Sequence, residues 1–198
     1  MIIYMCNTEY MNNTIVITNR KLVIGDYLSQ IKKVANMKPR AMIIREKNMS
    51  DDEYEKMAGK VLDICNNECV CCYIHTRFDI AMNHNCRNIH IPVNMVTRLS
   101  DYAGKFDNIS VACHSIEDAD MAIKNGATQI ILGTIFETDC KKGLKGKGLG
   151  FVREVSDYCK TNGNIPVYAI GGINPKNMAS VIEAGAMGGC MMSYMMTI

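Results

Sequence analysis

The chain has 198 residues and a mass of 22.1 kDa, which fits one domain or at most two small ones and excludes a multidomain assembly. Hydrophobic residues make up 48% and charged residues 21% of it, values that exclude a disordered chain and one that resides in a bilayer. The formal net charge of +2 supplies no broad field for nucleic acid or a membrane surface, so any anion must be bound locally.

Ten cysteines are spread along the chain, and no secretory signal precedes them. No apolar run approaches the ~18 residues that a membrane span needs, so we expect reduced thiols and a cytoplasmic protein. The densest thiol group is Cys69, Cys71 and Cys72, which lacks the paired Cys-x-x-Cys spacing of a zinc site. We interpret it as part of a buried strand and predict no metal site there.

Short apolar runs rich in β-branched residues alternate with helical patterns, which indicates βα units and a parallel sheet. Eight such strands suggest a closed (β/α)8 TIM barrel of the α/β class, in a single domain over residues 1–198. The predicted strands are residues 14–18, 41–44, 71–74, 88–91, 110–113, 129–132, 167–170 and 189–192.

Helix start signals lie between these strands. Residues 50–53 and 114–118 each offer a serine cap followed by acidic residues. Asn174 and Pro175 predict a helix with proline in its first turn, and Gly185 predicts its end. The connection over residues 77–87 is short for a full crossover helix, so we expect that unit to be irregular.

The two ends depart from an ideal barrel. About a dozen residues precede the first predicted strand, and the chain stops at Ile198, a few residues after the eighth. We therefore expect an N-terminal extension and a truncated or missing last helix. The apolar stretch 1–11, or a partner subunit in a homodimer, is expected to cover the core surface left exposed.

Glycines directly follow the seventh predicted strand and begin the eighth. Gly171 and Gly172 would let a phosphate approach backbone N–H groups, with a helix N-terminus behind them adding favourable charge. The eighth strand brings Met192 and Ser193 to the same corner, where many barrels bind phosphate. These four residues are the predicted phosphate site; the alternative is glycines that only satisfy tight turns.

Three further side chains with useful chemistry follow predicted strands. His114 ends the fifth strand, and an imidazole titrates close enough to neutrality to take and return a proton; the alternative is a cap or a core filler. Arg45 and Lys47 end the second strand and suit an anion, with Glu46 available to pair with either. The alternative for these charges is an ordinary solvated surface.

A Gly- and Lys-rich run, residues 141–148, follows the sixth predicted strand without periodicity, and we expect a mobile loop. Just before and within it, Thr138, Cys140 and Lys141 offer a hydroxyl, a thiol and an ammonium. The loop is either a solvated surface connection or part of the site, since barrels carry their active sites on this face.

Taken in order, these residues resemble the thiamine phosphate synthase and TenI superfamily, a (β/α)8 barrel family. The resemblance runs from Thr14 to Ser193. Its landmarks are residues 17–20, 44–47, 77–81, 114–115, 169–173 and 184–186. Residues 136–144, Phe-Glu-Thr-Asp-Cys-Lys-Lys-Gly-Leu, are more similar to TenI than to the synthases.

The TenI resemblance implies a thiazole tautomerase that aromatises a phosphorylated carboxythiazole tautomer by moving one proton, with no cofactor and no metal. It implies His114 as the acid–base residue and Cys140 as a second acid or only a lining residue. Arg45, Lys47, Thr138 and Lys141 would contact the substrate.

The departures from the synthase pattern concern metal. Synthases carry two aspartates that hold magnesium on a pyrophosphate substrate, where this chain has Thr76 and Met95. A neutral hydroxyl and a thioether are poor substitutes for hard oxygen ligands. Pyrophosphate transfer is thus the less favoured alternative, beside a non-catalytic protein that binds thiazole or thiamine phosphate.

Overall fold

A computed structural model describes residues 8–138, 143 and 145–198 of the chain. Cys140 and Lys141 lie outside these residues, so their roles stay predictions.

Eight parallel strands close into a barrel in sequence order, and β8 pairs with β1 through Thr14 opposite Gly189. The strands are β1 (Thr14–Ile17), β2 (Ala41–Ile44), β3 (Cys71–His75), β4 (Asn88–Pro92), β5 (Asn108–Cys113), β6 (Gln129–Gly133), β7 (Val167–Ile170) and β8 (Gly188–Met191). The predicted TIM-barrel fold is confirmed, and each predicted strand overlaps an observed one.

Helices connect the strands on the outside. They are α1 (Tyr27–Asn36), α2 (Asp51–Asn67), α3 (Phe78–Asn83), α4 (Ile116–Lys124), α5 (Gly148–Gly163), α6 (Met178–Glu183) and α7 (Ser193–Thr197), with 3₁₀-helices at Thr8–Asn13, Arg20–Leu22 and Val93–Tyr102. Ser50 and Glu53 form the capping box that begins α2, as predicted. The six-residue α3 confirms the irregular unit.

The predicted start of α6 is wrong. The helix begins at Met178, and Pro175 lies in the turn before it rather than in its first turn. The side chain of Asn174 accepts a hydrogen bond from the Lys176 N–H, and that of Asn177 accepts from the Asn174 N–H. These asparagine bonds stabilise a turn at the point where helix was expected.

The barrel has two apolar layers. Outward-facing strand residues and the helices form the larger core. Inside the barrel a smaller cluster fills the interior below the carboxyl ends of the strands: Ile15, Ile17, Ala41, Ile43, Tyr73, Ile131, Tyr168 and Cys190. The prediction of a wholly buried third strand holds except for Cys71, which is exposed at the start of β3.

The last helix is short, as expected: α7 has five residues. Met195 and Met196 on it are buried in the larger core, and Gln30 Nε2 on α1 donates to the Met195 carbonyl at 2.8 Å. In the N-terminal extension, the carbonyl of Met11 accepts a hydrogen bond from the Arg40 N–H at 2.9 Å. The extension therefore packs at the amino end of β2 around Met11. No helix in the described part of the chain has the length and apolar character needed to cross a membrane.

Candidate active site

A cavity of about 1740 Å³ opens at the carboxyl ends of the strands. Every predicted site residue that the structure describes lines it: Arg45, Lys47, His114, Thr138, Gly171, Gly172, Met192 and Ser193. Because parallel strands end at one rim of a barrel, residues far apart in sequence come within reach of one ligand.

His114 follows β5 and is held at both its backbone and its ring. Its N–H donates to Asp118 Oδ2 at 2.7 Å, and its ring Nδ1 lies 2.6 Å from the Gly133 carbonyl oxygen. A carbonyl only accepts, so Nδ1 carries the hydrogen and Nε2 keeps its lone pair. The ring is thus set in the tautomer that offers Nε2 as a base.

The glycine corner is shaped by the approach of the β6–α5 loop. Gly171 and Gly172 have φ values of +104° and +66°, and a Cβ on Gly171 would lie 2.4 Å from Thr134 Cγ2. The Phe136 N–H donates to the Gly171 carbonyl at 3.0 Å. The close packing of the β6–α5 loop therefore requires glycine at this turn, whether or not a phosphate binds. The same turn presents its backbone to the cavity.

The helix N-terminus expected behind these glycines is not there. Helix α6 starts at Met178, beyond the asparagine turn, and it has only six residues. A phosphate at this corner would depend on backbone N–H groups and the Ser193 hydroxyl, with no help from the α6 dipole.

At the end of β2, Arg45 and Lys47 line the cavity while Glu46 between them is buried. The Glu46 carboxylate accepts from Thr18 Oγ1 at 2.8 Å and from the Arg20 N–H at 3.0 and 3.1 Å. Glu46 therefore holds the end of β1 against the end of β2, next to the two cations.

Two buried histidines, His75 on β3 and His90 on β4, lie beneath the cations with ring centroids 5.6 Å apart. Burial, together with the nearby His90, Arg45, Lys47 and Arg77, lowers the pKa of His75 to about 2. Burial likewise lowers the pKa of His90 to about 3, with a contribution from Arg45. This histidine pair is uncharged at neutral pH.

Hydrogen bonds fix the ring of His75. The Thr76 hydroxyl donates its one hydrogen to the His75 carbonyl at 2.7 Å and lies 3.1 Å from His75 Nδ1. Nδ1 must then donate to Thr76 Oγ1, which leaves Nε2 as an acceptor. His90 Nδ1 lies 2.9 Å from Ser110 Oγ.

Sequence reasoning missed His90 altogether. The signal was its place between Ile89 and Ile91 in a short strand, since alternation puts the middle residue on the face opposite its neighbours. Helices pack against the outer face of the barrel, where Ile89 and Ile91 point, so the side chain of His90 points into the barrel.

The chain matches the family model described as thiamine monophosphate synthase, TMP-TENI, over residues 14–195. It belongs to the thiamine monophosphate synthase family. The thiamine-phosphate synthase of Clostridium tetani is 30% identical over 173 residues, covering 84% of this chain and 79% of that protein. The synthase of Methanosarcina barkeri is 33% identical over 177 residues, covering 86% and 76%.

A solved structure supports the same fold. The thiamine phosphate pyrophosphorylase of Pyrococcus furiosus superposes with a TM-score of 0.82 at 23% identity, covering 97% of this chain and 91% of that one. The thiamine monophosphate synthase family is enzymatic and belongs to thiamine biosynthesis, which confirms the superfamily expected from the sequence. The relatives carry the names of synthases, so the names favour the transferase over the TenI-type isomerase.

The magnesium of the synthases can be tested against the residues present. Thr76 and Met95 line the cavity where the resemblance places the two aspartates, and the Thr76 hydroxyl is engaged with His75. Two carboxylates also line the cavity, Asp51 and Glu137, and Asp51 Oδ1 accepts from Arg77 Nε at 2.7 Å. Among the described residues, no three His, Cys, Asp or Glu side chains gather to hold a metal ion. This donor set does not fit a magnesium–pyrophosphate site.

Proposed function

We propose that this family member is a TenI-like thiazole tautomerase, an isomerase that aromatises a phosphorylated carboxythiazole tautomer. One observation carries the proposal: His114 offers Nε2 as a base in a cavity whose expected magnesium positions hold Thr76 and Met95. Proton transfer needs the first feature, and the second disfavours pyrophosphate displacement.

In the reaction, Nε2 of His114 removes a proton from the ring carbon of the tautomer. The electron pair of that C–H bond enters the ring, and the exocyclic double bond takes a proton at its outer carbon. The imidazolium returns the proton it took, so no proton or electron is gained or lost. An imidazole whose Nδ1–H stays on the Gly133 carbonyl serves both steps.

The remaining cavity residues bind the substrate in this proposal. The phosphate lies against Gly171, Gly172, Met192 and Ser193, at the ends of β7 and β8, and β1 separates these strands from β2, which carries the cations. Arg45, with Lys47 close by, faces the carboxylate, and both carry charges of the right sign. Thr138, Lys141 and Cys140 complete the site from the β6–α5 loop, with Cys140 as a second acid or a lining residue.

Thiamine-phosphate synthase activity is the second candidate, favoured by the names of the relatives. A regulator that binds thiazole phosphate without turnover is the third. The deciding experiment incubates purified protein with the thiazole tautomer and follows the absorbance of the aromatic product. A parallel reaction contains pyrimidine pyrophosphate, thiazole phosphate and Mg²⁺, and is analysed for thiamine phosphate.

His114→Gln is expected to lower tautomerase turnover roughly 10²- to 10⁴-fold, as for loss of a general acid–base group. His84→Gln is the matched control, because His84 follows α3 outside the cavity lining. Unchanged turnover in His114→Gln would remove this residue from the mechanism. Micromolar binding without turnover in the wild type would favour the regulator.

A further inference from the structure

Three consecutive contacts link His114 to two other segments in a closed circuit. The His114 ring donates to the Gly133 carbonyl, and the next carbonyl, that of Thr134, accepts from the Lys147 N–H at 3.0 Å. The side chain then returns to the start, since Lys147 Nζ donates to the main-chain carbonyl of His114. The circuit connects the β5–α4 loop, the end of β6 and the beginning of α5.

We propose that Lys147 is a positioning residue for His114. The inference rests on the proposed function, in which His114 is the acid–base group. Lys147 touches no reacting atom in this account; it acts on the peptide that carries the imidazole.

The main chain around Lys147 is fixed before any ligand arrives. The Gly148 N–H donates to the Ile135 carbonyl at 2.9 Å, and a Cβ on Gly146 would lie 2.5 Å from that oxygen. The Nζ atom lies 4.4 Å from the centre of the Phe151 ring, which gives the ammonium a second favourable contact. The expected mobile loop is therefore anchored at this end, with Gly148 already in α5.

Without Lys147, the peptide that joins His114 to Ser115 loses this contact to its carbonyl, and only the preceding peptide keeps its N–H bond to Asp118 Oδ2. Rotation of that peptide would displace the ring relative to the Gly133 carbonyl, whose 2.6 Å contact sets the tautomer. Misplacing a catalytic group by about 1 Å costs on the order of 10²-fold in rate. Because Lys147 is exposed, its contacts add little to stability, so the effect should be on rate.

The test compares Lys147→Met and Lys147→Gln with Lys147→Arg, which keeps a charged donor of similar reach. Lys160→Met is the matched control, because Lys160 is exposed near the other end of α5. For the Met and Gln variants we expect kcat to fall roughly 10- to 100-fold, with KM within about twofold. Arg should restore most of kcat, and the melting temperature should move by no more than about 2 °C.

The direct readout is the ¹⁵N NMR spectrum of the His114 ring, which distinguishes the Nδ1–H from the Nε2–H tautomer. The Met variant should lose the pure Nδ1–H signature of the wild type. An unchanged spectrum with unchanged kcat would overturn the proposal. If the wild type shows no tautomerase activity, the proposed function fails, while the NMR comparison still decides whether Lys147 positions the ring.

Discussion

Acidification from pH 7 to pH 5 should destabilise this barrel through its buried histidine pair. Burial holds the pKa values of His75 and His90 at about 2 and 3, against 6.5 as the ordinary value. Near pH 6.5 the unfolded chain therefore binds more protons than the folded chain does. The free energy of unfolding falls as the pH drops through 6.5. The free energy of unfolding keeps falling until the pH approaches the folded-state pKa values of the two histidines.

The magnitude follows from linkage. Between pH 7 and pH 5 each histidine removes about 2 kcal/mol from the free energy of unfolding, so the pair removes about 4 kcal/mol. Arg45 opposes protonation of both rings, and Lys47 and Arg77 oppose protonation of His75. Both rings remain neutral in the folded protein at pH 5, because their pKa values lie at about 2 and about 3.

The assay is urea denaturation at half-unit pH intervals for the wild type, His75→Gln and His90→Gln. Between pH 7 and pH 5, each variant should lose about 2 kcal/mol less of its free energy of unfolding than the wild type loses. His84→Gln, away from the cavity, provides the matched control. Equal pH dependence of stability in the wild type, His75→Gln and His90→Gln would refute the conclusion that these rings are neutral in the folded protein.

Two further predictions concern the cavity. Because Thr76 and Met95 supply no hard oxygen ligands for Mg²⁺, tautomerisation is expected to persist in excess EDTA. For the same reason, incubation with pyrimidine pyrophosphate, thiazole phosphate and Mg²⁺ should yield no thiamine phosphate by chromatography. Clear Mg²⁺-dependent formation of thiamine phosphate would assign the synthase activity instead. Gly171→Ala is expected to lower the free energy of unfolding by about 1–3 kcal/mol, because its φ is +104° and the new Cβ would meet Thr134 at 2.4 Å. A thermal melt of Gly171→Ala that matches the wild type would contradict this expected loss of stability.

The barrel was predictable because its local signals agree. Each strand is a short apolar run, and a capping serine such as Ser50 marks the helix that follows. Eight repeats of this unit leave few arrangements besides a closed parallel sheet. The cavity residues followed from the same logic, since a polar residue just after a strand of a barrel must lie at the carboxyl rim.

What the sequence did not show depends on contacts between distant segments. The turn at Asn174 forms because two asparagine side chains satisfy backbone N–H groups, an outcome that competes closely with the proline-started helix. The neutrality of His75 and His90 depends on burial under cations from other strands. Lys147 reaches His114 across 33 positions of sequence, and no local pattern marks that contact.

The truncated end of the barrel gives the last prediction. A five-residue helix is too short to be stable by itself, so α7 must be stabilised by packing. Met195 on it is fully buried, and its carbonyl accepts from Gln30 on α1. Met195→Ala is therefore expected to cost about 2–5 kcal/mol in the free energy of unfolding.

The matched control is Met121→Ala, because Met121 is 47% exposed on α4 and its truncation should change stability by about 0.5 kcal/mol or less. Urea denaturation at pH 7 measures both variants. Ser193 begins α7 and lines the cavity, so loosening the helix should also weaken phosphate binding by the Met195 variant. If Met195→Ala costs no more than Met121→Ala, the short helix does not close the core, and another part of the chain or a partner subunit must cover that side of the barrel.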